Sequence, residues 1–133
     1  MYEYKAHEEF EARLTAKYGD MFHQRLSGFA IGPGWYHIVE ELCNNIAWHL
    51  KNLKADVRPD FKVVQVKEKF AGLRFYVDNA DATINGMIYM AESWANKSCE
   101  LCGNRGTQRN EGWLRVLCDE HAKGTEDEDS DCE

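Results

Sequence analysis

The chain has 133 residues, 44% of them apolar and 29% charged, enough for one domain that builds its own core without disulfides. No run of about 18 apolar residues is present, which excludes a transmembrane helix. The formal net charge is −7, but the last ten residues, Gly124 to Glu133, hold six acids and no Lys or Arg; without them 17 acids face 16 Lys and Arg, a net of −1.

Residues 4–18 read as a helix, because Phe10, Leu14 and Tyr18 recur four apart on one face. Gly19-Asp20 ends it. Residues 21–31 are ambiguous, with Phe22, Leu26 and Phe29 available for burial. Gly32-Pro33-Gly34 is punctuation. The next helix carries the clearest stripe: Trp35, Ile38, Val39, Leu42, Ile46, Leu50 and Leu53 on one side, Glu40, Asn44, Asn45, Lys51 and Asn52 on the other. Cys43 lies in the stripe as core filler. His37 and His49 lack partners at ligand spacing and read as surface or boundary residues.

Residues 61–77 read as a β-hairpin turning at Ala71-Gly72, so that Phe70 pairs with Leu73 and Glu68 with Phe75. One face then holds Val64, Val66, Phe70, Leu73, Phe75 and Val77, with Glu68 as its one charge. The other face holds Lys67, Lys69, Arg74 and Tyr76. A third helix is expected over 82–97, with Ile84, Met87, Ile88, Ala91 and Trp94 inward. Residues 124–133 should be a solvated, disordered acidic tail, with Cys132 a bystander in it.

The strongest signal is Cys99-Glu100-Leu101-Cys102, followed after fifteen residues by Cys118-Asp119-Glu120-His121. Two Cys-x-x pairs of this type complete a tetrahedron around Zn²⁺, so Cys99, Cys102, Cys118 and His121 are the expected ligands of one structural zinc. The start, Met1-Tyr2-Glu3-Tyr4-Lys5, lacks a signal peptide's apolar stretch, so a cytoplasmic protein is expected, where paired Cys favour metal over disulfide. Lys97 and Arg105 stand near enough in sequence to stabilise the thiolates. Knuckle, a short hairpin over 107–117 and a helical turn carrying Cys118 and His121 follow the order of a treble clef. The expected fold is therefore α+β: helices packed on a small antiparallel sheet, one domain over 1–123, with a zinc module over 97–123.

Gly34-Trp35-Tyr36, Glu41-Leu42-Cys43, the string from Gln65 to Tyr76, Ala91-Glu92-x-Trp94, Cys99-Glu100-x-Cys102-Gly103, Trp113 and Leu117 to Ala122 together resemble a family of small zinc-binding proteins found in tailed phages and bacteria. The resemblance spans about residues 18–122, and Lys67-Glu68-Lys69-Phe70-x-Gly72-Leu73-Arg74-Phe75-Tyr76 is its most specific part. It implies a setting rather than a mechanism.

A closed four-ligand site points to binding rather than catalysis. The expected function is a non-catalytic, phage-type adaptor or inhibitor that engages a host protein, such as a defence component, away from any membrane. The first alternative is a nucleic-acid or nucleotide binder, using Lys67, Lys69, Arg74 and Tyr76 with Arg105, Arg109, Trp113 and Arg115 as a basic-aromatic surface. The near-neutral body weighs against strong nonspecific DNA binding. The second alternative is an enzyme or nuclease, in which Glu68 on an apolar face acts as a base; against it stands the favoured structural reading, in which Glu68 is tied to a buried partner such as a helix Arg or a Trp N–H.

Overall fold

The structure is a computed structural model that describes residues 4–110 and 112–123; the acidic tail and Cys132 lie outside them. The order is α1 (Tyr4–Tyr18), a 3₁₀ turn (Gly19–Met21), β1 (Phe29–Ala30), a second 3₁₀ turn (Pro33–Trp35), α2 (Tyr36–Asn52), β2 (Lys62–Lys69), β3 (Gly72–Asp78), α3 (Ala82–Ala95), β4 (Thr107–Arg109) and β5 (Arg115–Leu117). Residues 119–123 are helical. The class is α+β.

The helical stripe of α2 is the centre of the core. Trp35, Ile38, Val39, Cys43 and Ile46 are fully buried, and burial of each large apolar side chain contributes roughly 1.5–3 kcal/mol. The Cys43 thiol is pushed up to about 12 by burial, with Glu40 adding to the effect, so it stays neutral filler. Helix α1 lays Phe10 flat on Tyr36, ring centroids 4.0 Å apart. Arg13 fixes the same crossing through a two-pronged bond to Glu40 at 3.0 and 2.8 Å. Asp81 caps α3 by accepting from the Ile84 N–H at 2.9 Å. The same carboxylate meets His49 at 2.8 Å, which confirms His49 as a boundary residue and lowers the Asp81 pKa.

The inward side of α3 is Ile84, Ile88, Ala91 and Ala95; Trp94 is 45% exposed rather than buried. The expected stripe ran one residue off at that end. Ala91 and Ala95 are the buried residues at that end, and the Trp94 indole lies edge-on to His37 at 5.3 Å.

The sheet has the order β1-β2-β3. Strands β2 and β3 are antiparallel, as expected, but β1 joins β2 in parallel through Phe29↔Val66 and Ala30↔Lys67. The ambiguous segment 21–31 thus becomes an edge of the sheet. The hairpin register also differs from expectation. The pairs are Lys69↔Gly72, Glu68↔Leu73 and Val66↔Phe75, with an irregularity between Val63 and Gln65. The turn residues are Phe70 and Ala71, at φ 51° and 65°. Positive φ at both central positions suits the twist of a two-residue hairpin, yet non-glycine residues there cost about 1–2 kcal/mol each.

Two contacts offset that cost. Glu68 accepts from the Ala71 N–H at 2.8 Å, and Ala71 buries its methyl almost completely. Glu68 therefore has a local backbone partner, not the buried side-chain partner expected of it. The irregularity puts Val63 in the core instead of Val64, and the shifted turn leaves Phe70 73% exposed. Lys67, Lys69, Arg74 and Tyr76 still share the opposite face, with the Lys67 ammonium 5.9 Å from the Tyr76 ring.

Candidate metal centre

After α3 the chain folds into a knuckle held by backbone bonds. The Cys99 N–H donates to Asn104 O at 2.7 Å and the Gly103 N–H returns to Cys99 O at 2.8 Å. The Glu100 N–H donates to Val116 O at 2.9 Å, which lays the knuckle on β5. Strand β5 ends at Leu117, and the following turn, closed by Ala122 N–H to Cys118 O at 2.9 Å, puts Cys118 and His121 on one side.

The four expected ligands converge. Their ligand atoms all lie within 4.8 Å of one another. Cys99 Sγ is 3.5 Å and Cys118 Sγ 3.2 Å from His121 Nδ1, and Cys102 Sγ is 3.7 Å from Cys118 Sγ. A tetrahedral ion with ordinary Zn–S and Zn–N bonds has edges of about 3.8 Å between sulfurs and about 3.6 Å between sulfur and nitrogen. The cluster fits a metal ion of that size, with Nδ1 as the histidine ligand. Knuckle, hairpin and helical turn follow in treble-clef order.

Cys99 and Cys118 are buried, His121 is half-buried and Cys102 is exposed. Burial alone would raise the Cys99 pKa. The backbone N–H groups of Cys118, Cys102 and Leu101 outweigh it and lower the thiol to about 7. The donors are these backbone amides and, after them, the Cys102 side chain; the expected Lys97 and Arg105 are not among them. Cys102 is pushed up to about 11, by desolvation and by its neighbours Cys99 and Cys118. Several thiolates this close repel one another unless a cation sits among them.

Residues far away in sequence seat the knuckle. The Trp35 indole N–H donates to Ser98 O at 2.9 Å, and the Gly34 N–H donates to Glu100 O at 2.7 Å. The Glu100 carboxylate accepts from the Gly32 N–H at 3.2 Å; burial first, and then Glu68, raise its pKa. A Cβ on Gly34 would lie 2.0 Å from Cys99 O and 2.6 Å from Gly103 N. The Gly-Pro-Gly segment, read as punctuation, is a docking surface. A lone sequence carries no sign that those glycines face residue 99.

Of the other expected site residues, Lys67, Lys69, Arg74 and Tyr76 share one face of the hairpin and Trp113 lines a cleft with Lys69, whereas Arg109 is engaged elsewhere. Arg109 spends its guanidinium on Leu117 O, at 3.1 Å, and on Asp119, at 2.8 Å. It braces the metal loop and leaves the proposed basic surface. Arg105 is exposed beside its bridge to Ser98, Arg115 is half-buried in β5, and Trp113 is 78% exposed. His37 comes close to Gly103 although it is distant in sequence. Among the described residues, no other group of three such side chains could hold a metal, and no helix is long and apolar enough to cross a membrane. Compared with family models, curated proteins and solved structures, the chain matches none.

Proposed function

We propose that this chain is a non-catalytic binding protein whose C-terminal module is held together by one structural zinc ion. The observation that carries the reading is the closed set of three sulfurs and one imidazole nitrogen at tetrahedral spacing. Thiolate and imidazole together suit Zn²⁺. Four protein ligands fill its coordination, so no position remains to activate water or substrate. Glu68, the side chain with the best claim to acid–base chemistry, uses one oxygen to hold its own turn.

The partner we favour is a protein. A groove between α2 and α3 is lined by Leu42, Gly86, Met87, Met90 and Trp94. Met90 is 67% exposed, and Trp48, one turn along α2 from the groove residue Asn45, is 65% exposed. Exposed Trp and Met on one face suit a protein interface. In the phage and bacterial setting that the sequence resembles, such a protein acts as an adaptor or inhibitor of a host protein. Capture from bacterial lysate with wild-type protein and with a Met90→Asp/Trp94→Asp variant tests this. A stoichiometric partner held by the wild type and lost from the equally stable variant is expected. Identical captures by both would refute the assignment of this face.

A further inference from the structure

The shifted turn at Phe70 and Ala71 creates a second feature, separate from the α2–α3 face. Phe70 is 73% exposed at the tip of the β2–β3 hairpin, and Trp113 is 78% exposed in the β4–β5 connection. Both line one cleft of about 370 Å³, together with Glu68, Lys69 and Leu114. That volume falls in the roughly 300–1,000 Å³ of small-molecule sites. We propose that this cleft binds a nucleobase bearing an exocyclic amino group and attached to a phosphate.

Three observations set the ligand chemistry. The two rings come from two different hairpins and flank one cleft, so a flat heterocycle can stack on either without rearranging the core; stacking of this kind accepts any base. Two cations that pair with no described acid stand at the hairpin tip, Lys69 in the lining of the cleft and Arg74 next to it on the same hairpin face. The Lys69 ammonium lies 5.7 Å from the Phe70 ring. The Arg74 guanidinium reaches across Gly72, the residue paired with Lys69. Among the described residues neither Lys69 nor Arg74 forms an ion pair, so a phosphate supplies the charge this tip lacks.

Glu68 selects among bases. Its Oε2 accepts from the Ala71 N–H, while Oε1 accepts no hydrogen bond from the described residues. A carboxylate oxygen with spare lone pairs accepts from the amino group of cytosine, adenine or guanine. It repels the two carbonyls that flank the single N–H of uracil. The strained turn places ring and carboxylate together: the Ala71 N–H holds Glu68, Phe70 is the residue before it, and both line the cleft.

Calorimetric titration of the zinc-loaded 133-residue chain with AMP, CMP, GMP and UMP, and with twelve-residue rA, rC and rU oligomers, tests the assignment. Amino-bearing bases should bind about tenfold tighter than uracil in whichever form binds. Phe70→Asn and Trp113→Ala should each weaken binding about tenfold or more. Asn tolerates the left-handed backbone and Trp113 is exposed, so both variants should melt no lower than wild type and retain their zinc. Lys69→Glu/Arg74→Glu should weaken binding and flatten its salt dependence. Tight oligomers with silent mononucleotides identify single-stranded nucleic acid as the source, and the reverse identifies a free nucleotide; either supports the site. No binding of any ligand up to about 1 mM, binding untouched by both aromatic substitutions, or equal binding of uracil would overturn it. A protein partner captured through Trp94 bears on the α2–α3 face alone.

Discussion

Gly34→Ala is expected to be the most damaging one-carbon change in the chain. The added Cβ would sit 2.0 Å from Cys99 O, 2.6 Å from Gly103 N and 2.7 Å from Glu100 C. All three are backbone atoms, so no side chain can swing aside. The Gly34 N–H donates to Glu100 O at 2.7 Å, and neighbouring Trp35 donates to Ser98 O. The methyl can be accommodated only if the knuckle lifts off, which breaks both bonds. Overpacking of a tight site costs about 1–3 kcal/mol and occasionally more; with two hydrogen bonds lost as well, about 4 kcal/mol is expected. At roughly 4 °C per kcal/mol for a domain of this size, the melting temperature should fall by about 15 °C. Gly86→Ala is the control: nothing lies within 4 Å of its Cβ, and alanine raises helix stability by about 0.5–1 kcal/mol. Thermal melts in which the two variants move together would show that the knuckle is not seated on Gly34.

Cys102→Ala should be the second large effect, and it reports on metal rather than packing. Cys102 is exposed, so its side chain contributes little apolar burial. If it ligates zinc, its loss opens the tetrahedron and lowers zinc affinity by more than the roughly 10–100-fold that follows removal of an outer-shell partner. Binding free energy of a structural zinc is folding free energy for the segment that holds it. The amides of β4, β5 and the helical turn should then exchange faster with solvent, while those of α2, in the main core, keep their protection. Cys132→Ala, in the acidic tail, should change neither melting nor exchange. Equal behaviour of the two variants would contradict the ligand assignment.

The helices and the ligand set are legible in the sequence because each rests on a local pattern. Phe10 and Leu14, the α2 stripe from Trp35 to Ile46, and the two ligand pairs ending at Cys102 and His121 all repeat at short, fixed spacings. What the sequence conceals is decided between distant segments. Ala71-Gly72 has the better turn chemistry, yet the turn falls at Phe70-Ala71. Val66 opposite Phe75 and the Glu68 bond to Ala71 N–H outweigh local preference there. The irregularity near Val64 exchanges Val63 for Val64 in the core, a shift no alternation rule anticipates. Arg109 looks like part of a basic surface until Asp119 and Leu117 O are seen to occupy it. Gly34 looks like punctuation until the knuckle is seen packed on its missing side chain. The aromatic cleft is hidden for the same reason: Phe70 reads as core in one register and as ligand platform in the other.

Zinc stoichiometry of the 15.4 kDa chain, measured by native mass spectrometry after zinc-supplemented expression and purification without chelators, decides whether the three cysteines and the histidine hold a metal ion. One zinc ion per chain is expected, released on denaturation and absent from a variant with Cys99, Cys102, Cys118 and His121 all replaced. A wild-type chain that carries no zinc under these conditions, or zinc retained by the quadruple variant, would contradict it.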